Sequence, residues 1–343
     1  MDLNLTDLHD EALTARVQHR IDRKTKPLGA LGRIEALALR LALIQGRETP
    51  QLDAPQLVVF AADHGIAARG VSAYPQDVTA QMVMNMLAGG AAVSVLARQH
   101  GLTLTIVDCG VRSDTPPQAG LVAAKVAHGS ADCTEKPAMT RAQCEAAIDH
   151  GVRIVSQLPG NVLLLGEMGI ANTSSAALLM ARLTGLSIDL CAGRGTGLDD
   201  AGFARKLDVL RSALKRHADM REPLDILAAL GGLEIATMVG AVFEAARTRR
   251  VILVDGFITT AAVAVAASLA PHVLQRCIFA HCSAESGHAR WLQHLRVDPL
   301  LNLDLRLGEG SGAALAWPLL RSAELLLREM ASFDSAGVSE RSA

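Results

Sequence analysis

The sequence predicts an α/β fold: a parallel sheet with helices on both faces, Rossmann-like, plus a small helical domain drawn from the two chain ends. Three observations predict it. Short apolar, β-branched runs recur along the middle of the chain, and longer segments with helical spacing separate most of them. Residues 1–50, and the chain beyond about residue 312, read as helices without a convincing strand. Hydrophobic residues make up 50% of the chain but aromatic ones only 3%, so the core is built from Ala, Leu, Val and Ile, which suits closely packed α/β layers. A chain of 343 residues also exceeds the roughly 250–300 at which single cores stop growing. The expected division is therefore 1–50 with 312–343 as the small domain and 51–311 as the large one.

In chain order, the helical start ends at the expected linker "GRETPQLDAPQ". "QLVVFAA" is the first predicted strand, followed by a helical segment, "PQDVTAQMVMNMLAGGAAVSVLARQ". Strand "LTLTIVDCG", helix "TRAQCEAAIDHGVRIVSQL" and strand "NVLLLGE" come next. "LSIDLCAG" is expected as a strand, "GLEIATMVGAVFEAARTRR" as a helix and "RVILVDG" as a strand. "TTAAVAVAASLA" is too short to cross a bilayer of about 30 Å and fits a buried helix. "RCIFAH" is the last expected strand, and "SFDSAGVSERSA" the expected frayed tail.

A formal charge of −2, with no basic run interleaved with aromatics, argues against nucleic acid as a partner. Six cysteines without a CxxC pair suggest neither a disulfide framework nor a zinc site, and fit buried thiols in a reducing cytoplasm. The start "MDLNLTDLHDEAL" carries acids where a signal peptide would carry basic and apolar segments. A soluble cytoplasmic protein with no membrane partner is expected.

Parallel sheets bind ligands at the carboxyl ends of their strands, so polar residues at strand exits are the candidates. At the first exit, Asp63 and His64 of "ADHGI" serve catalysis or cap a turn. In "GEMGIANTSSAALLMARL" a strand, a glycine-bearing turn and a Ser/Thr-rich helix start follow in order. Such a turn is an anion site or an ordinary strand-to-helix connection, and it lacks the GxxxxGK[ST] pattern of a nucleoside-triphosphate loop. "CAGRGTGLDDAGFARK" offers Gly193, Arg194 and Lys206, and "AHCSAESGHARWL" offers His281, Ser283, Glu285 and His288. Asp199 and Asp200 lack the flanking apolar strand of a metal-pyrophosphate motif, and the two histidines lack a zinc-helix spacing. Asp255 closes a strand, where an acid often only holds a turn. Glu309 stands between Gly308 and Gly310 just before an apolar helix, as a helix-start acid or as a reactive one.

Eight blocks in one order, "KPLGALGRIEALALRLA", "ADHGI", "YPQDVT", "GEMGIANTSSAA", "LGGLEIATMVGA", "VDGFITTAA", "HCSAESGHA" and "LRLGEGSGAALA", resemble the nicotinate-nucleotide:dimethylbenzimidazole phosphoribosyltransferases over about residues 20–325. The resemblance implies transfer of phosphoribose from nicotinate mononucleotide to 5,6-dimethylbenzimidazole, giving α-ribazole 5′-phosphate and nicotinate for the nucleotide loop of cobalamin. It implies a homodimer, no cofactor and no metal, because the pyridinium leaving group already carries positive charge. Glu309 takes the place of the family's general base, its flanking glycines leaving a flat ring free to approach. Glu167 is placed to stabilise an oxocarbenium-like ribose. The phosphate is expected against Gly169, Ala171, Asn172, Thr173 and Ser174 with Lys206 as counter-charge, and Gly193 and Ser283 are expected to border the nucleotide. Tyr74, Met82 and Leu307 are expected at the base. Tyr74 and Met82 stand where some members carry serine and glutamine, so the preferred base is left open. A metal-dependent nucleotide hydrolase and a nucleotide-sensing regulatory module are the rival readings.

Overall fold

A computed structural model describes residues 4–339. Its six strands are β1 (Gln56–Ala62), β2 (Thr103–Gly110), β3 (Leu121–Ala123), β4 (Val162–Met168), β5 (Val251–Val254) and β6 (Cys277–Phe279). They form one sheet in the order β3-β2-β1-β4-β5-β6, and every pairing is parallel. β1 is buried along its whole length because successive side chains enter two cores. Val58, Phe60 and Ala62 join one, and Leu57, Val59 and Ala61 join the other.

The first core is closed by the helices Asn172–Thr184, Leu233–Arg247 and Phe257–Leu269. "TTAAVAVAASLA" lies within the last of these, buried as expected. The second core is closed by helices Glu11–Asp22, Arg33–Gln45 and Ser311–Glu329. Elements from the two chain ends meet there: Lys24 and Ser332 form an antiparallel bridge, and the Phe333 N–H donates to the Arg23 carbonyl at 3.0 Å.

Four expectations need correction. "LSIDLCAG" contains no strand; Ile188–Cys191 is one helical turn, because residues three apart, Ile188 and Cys191, are buried while Asp189 and Leu190 face solvent. Strand β3 lies in a stretch with no strand signal, and only its pairing with Ile106, Val107 and Asp108 makes it one. The long helical segment after β1 is two helices, Val78–Leu87 and Ala92–His100, separated at Gly89 and Gly90. Within the expected frayed tail, Phe333–Ala336 is a helical turn with a Ser332 capping box, and residues 340–343 lie outside the described residues. The six cysteines are all free, five of them buried and Cys282 partly so.

Candidate active site

The chain leaves β1 toward β2 on one side and later adds β4 on the other, so the strand order reverses between β1 and β4. Open parallel sheets form ligand crevices at this point, outside the carboxyl ends of the strands. A cavity of about 350 Å³ lies there, lined by Glu167, Asn172, Thr173, Ser283 and Glu309 among others. A larger groove of about 670 Å³ runs along the β6 edge, where the Arg33 and Arg40 side chains are held by the carbonyls of Pro299, Leu274 and Cys277.

The Glu309 turn has an unusual backbone. Gly308, Glu309 and Gly310 have φ of 79°, 66° and 90°, three consecutive residues in the left-handed region. For a residue with a Cβ this conformation costs about 1–2 kcal/mol, so Glu309 is held there by its surroundings. The flanking glycines make room for neighbouring protein atoms. A Cβ on Gly308 would stand 2.2 Å from Glu167 Oε1, and one on Gly310 would stand 2.9 Å from Leu57 Cδ1. Gly166 in β4 completes the fit, since a Cβ there would lie 2.4 Å from the Glu309 carbonyl oxygen. Glu309 is 5% exposed, and its Oε2 is buried without a hydrogen-bond partner. Burial raises its pKa, opposed by a backbone hydrogen bond from Val93 at the start of helix Ala92–His100.

Glu167, the penultimate residue of β4, turns its Oε2 to the Asn172 amide. Burial above all, then the nearby Asp255 charge, pushes its pKa up to about 8. Both causes favour the protonated form of Glu167. Asp255, just beyond β5, receives N–H groups from Gly310 and Ala313. It does hold a turn, and that turn is the one carrying Glu309.

At the β4 exit, Ala171 takes φ 77° to start helix Asn172–Thr184. Gly169, Asn172 and Thr173 line the cavity, whereas Ala171 and Ser174 do not, and the Ser174 hydroxyl is buried without a partner. The Asn172 and Ser174 N–H groups are spent on the carbonyls of Gly169 and Ala171, which leaves this helix start a poorer anion cradle than its sequence suggests. Lys206 lies behind the wall, fully buried, with Nζ 3.1 Å from Thr173 Oγ1. Burial lowers its pKa to about 8. Gly193 is also outside the lining; a Cβ on it would strike Glu285 Oε2 at 2.3 Å. Tyr74 and Leu307, 55% and 57% exposed, line the cavity together with half-buried Met82.

Asp63 and His64 do not line the cavity. His64 uses both ring nitrogens, toward Ser175 Oγ at 3.0 Å and Glu234 Oε1 at 2.7 Å, and Asp63 accepts the Arg112 N–H. Glu285, His281 and Arg306 line it without having been assigned to it from sequence. The first two lie in the quoted "AHCSAES" exit, which was a usable signal. Arg306, an exposed arginine with its Nη1 3.5 Å from the Gly195 carbonyl, carried none.

A phosphoribosyltransferase family model matches residues 7–338. A nicotinate-nucleotide-dimethylbenzimidazole phosphoribosyltransferase of Variovorax paradoxus (strain S110) is 66% identical over 338 residues, 98% of this chain and 97% of that protein. The enzyme of the same name in Cupriavidus taiwanensis is 60% identical, with 97% of each chain covered. The crystal structure of the Thermus thermophilus enzyme of that name superposes with a TM-score of 0.92 at 41% identity, covering 97% of this chain and 100% of that one.

Proposed function

The chain belongs to the nicotinate-nucleotide-dimethylbenzimidazole phosphoribosyltransferase family, and from that premise we propose how its own residues carry the transfer of phosphoribose from nicotinate mononucleotide to 5,6-dimethylbenzimidazole. The observation that carries the reading is the buried, unpartnered Oε2 of Glu309 in a cavity it shares with Glu167. A buried carboxylate oxygen without a donor is costly unless a ligand supplies one, and the N–H of a benzimidazole does.

The acceptor ring enters past Tyr74, Met82 and Leu307, and Glu309 takes its proton as the free nitrogen attacks the ribose C1′. The glycosidic bond to the pyridinium breaks with its electron pair returning to the ring nitrogen, so neutral nicotinate nitrogen leaves without needing a proton. Positive charge then gathers on the ribose beside Glu167. The cationic pyridinium bound beside that acid lowers its pKa, so Glu167 releases its proton to solvent as the donor binds and stands as a carboxylate that stabilises the oxocarbenium-like sugar. Attack from the face opposite the leaving group converts the β-riboside to an α-riboside. Arg306 at the mouth and the Lys206–Thr173 contact at the wall supply charge for the phosphate, next to Gly169, Asn172 and Ser283.

The proposal extends to a homodimer in the cytoplasm. Exposed Tyr74 and Leu307, which line the cavity, are the kind of surface a second copy covers. It also keeps 1–50 with 312–343 as a small helical unit on the body 51–311, supported by the bridge between Lys24 and Ser332. Incubation with nicotinate mononucleotide and dimethylbenzimidazole should release nicotinate and give only the α-anomer. A β-riboside product, or no free nicotinate, contradicts the reading.

A further inference from the structure

Helix Ser311–Glu329 begins at Gly310, which has no side chain with which to cap it. The cap comes from another strand. Asp255 is 1% exposed, and its Oδ2 and Oδ1 accept the N–H groups of Gly310 at 3.2 Å and Ala313 at 2.8 Å. Gly312 lies between those two donors, where a Cβ would come 2.9 Å from Asp255 Oδ1 and 2.1 Å from His281 Cδ2. Asp255 thus grips the turn immediately after Glu309, and from a rigid element, the end of β5. An acceptor at a helix N-terminus meets both otherwise unsatisfied N–H groups and the positive end of the helix dipole.

We propose that Asp255 is a positioning residue for the transfer: by capping helix Ser311–Glu329 from the end of β5 it holds Glu309 in its left-handed turn, facing Glu167. This rests on the phosphoribosyl-transfer reading.

The groups around this pair are few. Asp255 faces Glu309 from the turn, Glu167 from β4 and His281 from the β6 exit, whose Nε2 is 3.9 Å from Asp255 Oδ1. Burial lowers the His281 pKa, which favours its neutral ring. Glu167 also faces the Asn172 amide and the charge of Glu234 from helix Leu233–Arg247. Burial pushes Asp255 up to about 7, with the Ala313, Gly310 and Gly312 N–H groups pulling the other way. Asp255 is the largest charged contributor holding Glu167 up.

Asp255→Asn keeps the shape, loses one acceptor oxygen and removes the charge. Its kcat should fall about 10- to 100-fold while the KM for nicotinate mononucleotide stays within about threefold, as expected when a reacting group is displaced but the substrate still binds. The second readout separates positioning from mere folding. Activity that needs ionised Glu167 rises with pH through its pKa. Without the Asp255 charge that pKa falls, so the acid limb should move to lower pH. An unchanged kcat, or a lowered kcat with an unmoved acid limb, overturns the proposal. For a variant that does not fold, Asp255→Glu decides: it keeps an acceptor for the helix start but displaces it by one methylene, so kcat should again fall while the KM for nicotinate mononucleotide stays within about threefold, and an unchanged kcat overturns the proposal. Absence of turnover by the wild-type chain overturns the transfer reading and this role with it, whereas wild-type turnover beside an unaltered Asp255→Asn variant overturns the role alone.

Discussion

Two acid-and-glycine motifs of this chain look alike in sequence and end in opposite roles. "ADHGI" after β1 and "LGEGSG" before the last long helix each place an acid next to glycine or one residue from it. At the first, His64 is fully buried and engaged on both nitrogens, fastening β1 to Ser175 and Glu234 on two helices of one core. At the second, Glu309 is nearly as buried and lines the cavity with one carboxylate oxygen unpartnered; Asp63 also keeps an unpartnered oxygen, Oδ1, but away from the cavity. A buried polar group whose valences are filled stabilises the fold; one left unfilled at a cavity wall is available to a substrate. The difference lies in partners from distant segments, so it is invisible in either motif alone.

Substitutions sharpen this contrast by separating stability from turnover. His64→Ala should have the largest effect on stability, about 3–5 kcal/mol, because it leaves Glu234 as an uncompensated buried acid. Chemical denaturation should show the loss, while protein that remains folded keeps a kcat near that of wild type. A stable variant with kcat abolished would place His64 in the chemistry and erase the distinction. Lys206→Ala comes next. If the ammonium reaches the phosphate through the cavity wall beside Thr173, the KM for nicotinate mononucleotide should rise about 10- to 150-fold, the worth of a charge-assisted contact of roughly 1.5–3 kcal/mol, with a smaller change in kcat. An unchanged KM assigns Lys206 to the wall alone and leaves Arg306 as the counter-charge. Tyr74→Ser should have the smallest effect, altering preference among acceptor bases without moving the donor KM, since Tyr74 is an exposed part of the cavity lining. Identical acceptor profiles for variant and wild type would take Tyr74 out of the base pocket.

The sheet was legible where strands are fully buried. "QLVVFAA" and "NVLLLGE" each feed two cores, so their apolar runs are continuous and cannot be mistaken for loops. "LSIDLCAG" misled because its apolar residues alternate as in a strand, whereas one helical turn buries Ile188 and Cys191 together. β3 is three residues long and exists only through its neighbour. In the site, Glu309 and Glu167 stood out, but the reason for Gly308 did not. Its clearance is for the Glu167 carboxylate, which arrives from a strand more than a hundred positions away. Asp255 likewise looks like any strand-closing acid until the helix it caps is placed beside it.

The central claim is that Glu309 accepts the proton of the attacking base. It is tested most directly by the kcat of Glu309→Gln relative to wild type, measured with dimethylbenzimidazole and with a more acidic azole. The amide keeps the size of the side chain but cannot take the proton, so kcat should fall by about 10²–10⁴ with dimethylbenzimidazole while both substrates still bind. The deficit should shrink with the acidic azole, which is already partly ionised at assay pH. Near-wild-type turnover with dimethylbenzimidazole, or an equal deficit with both acceptors, would make Glu309 a buried helix-start acid and contradict the account.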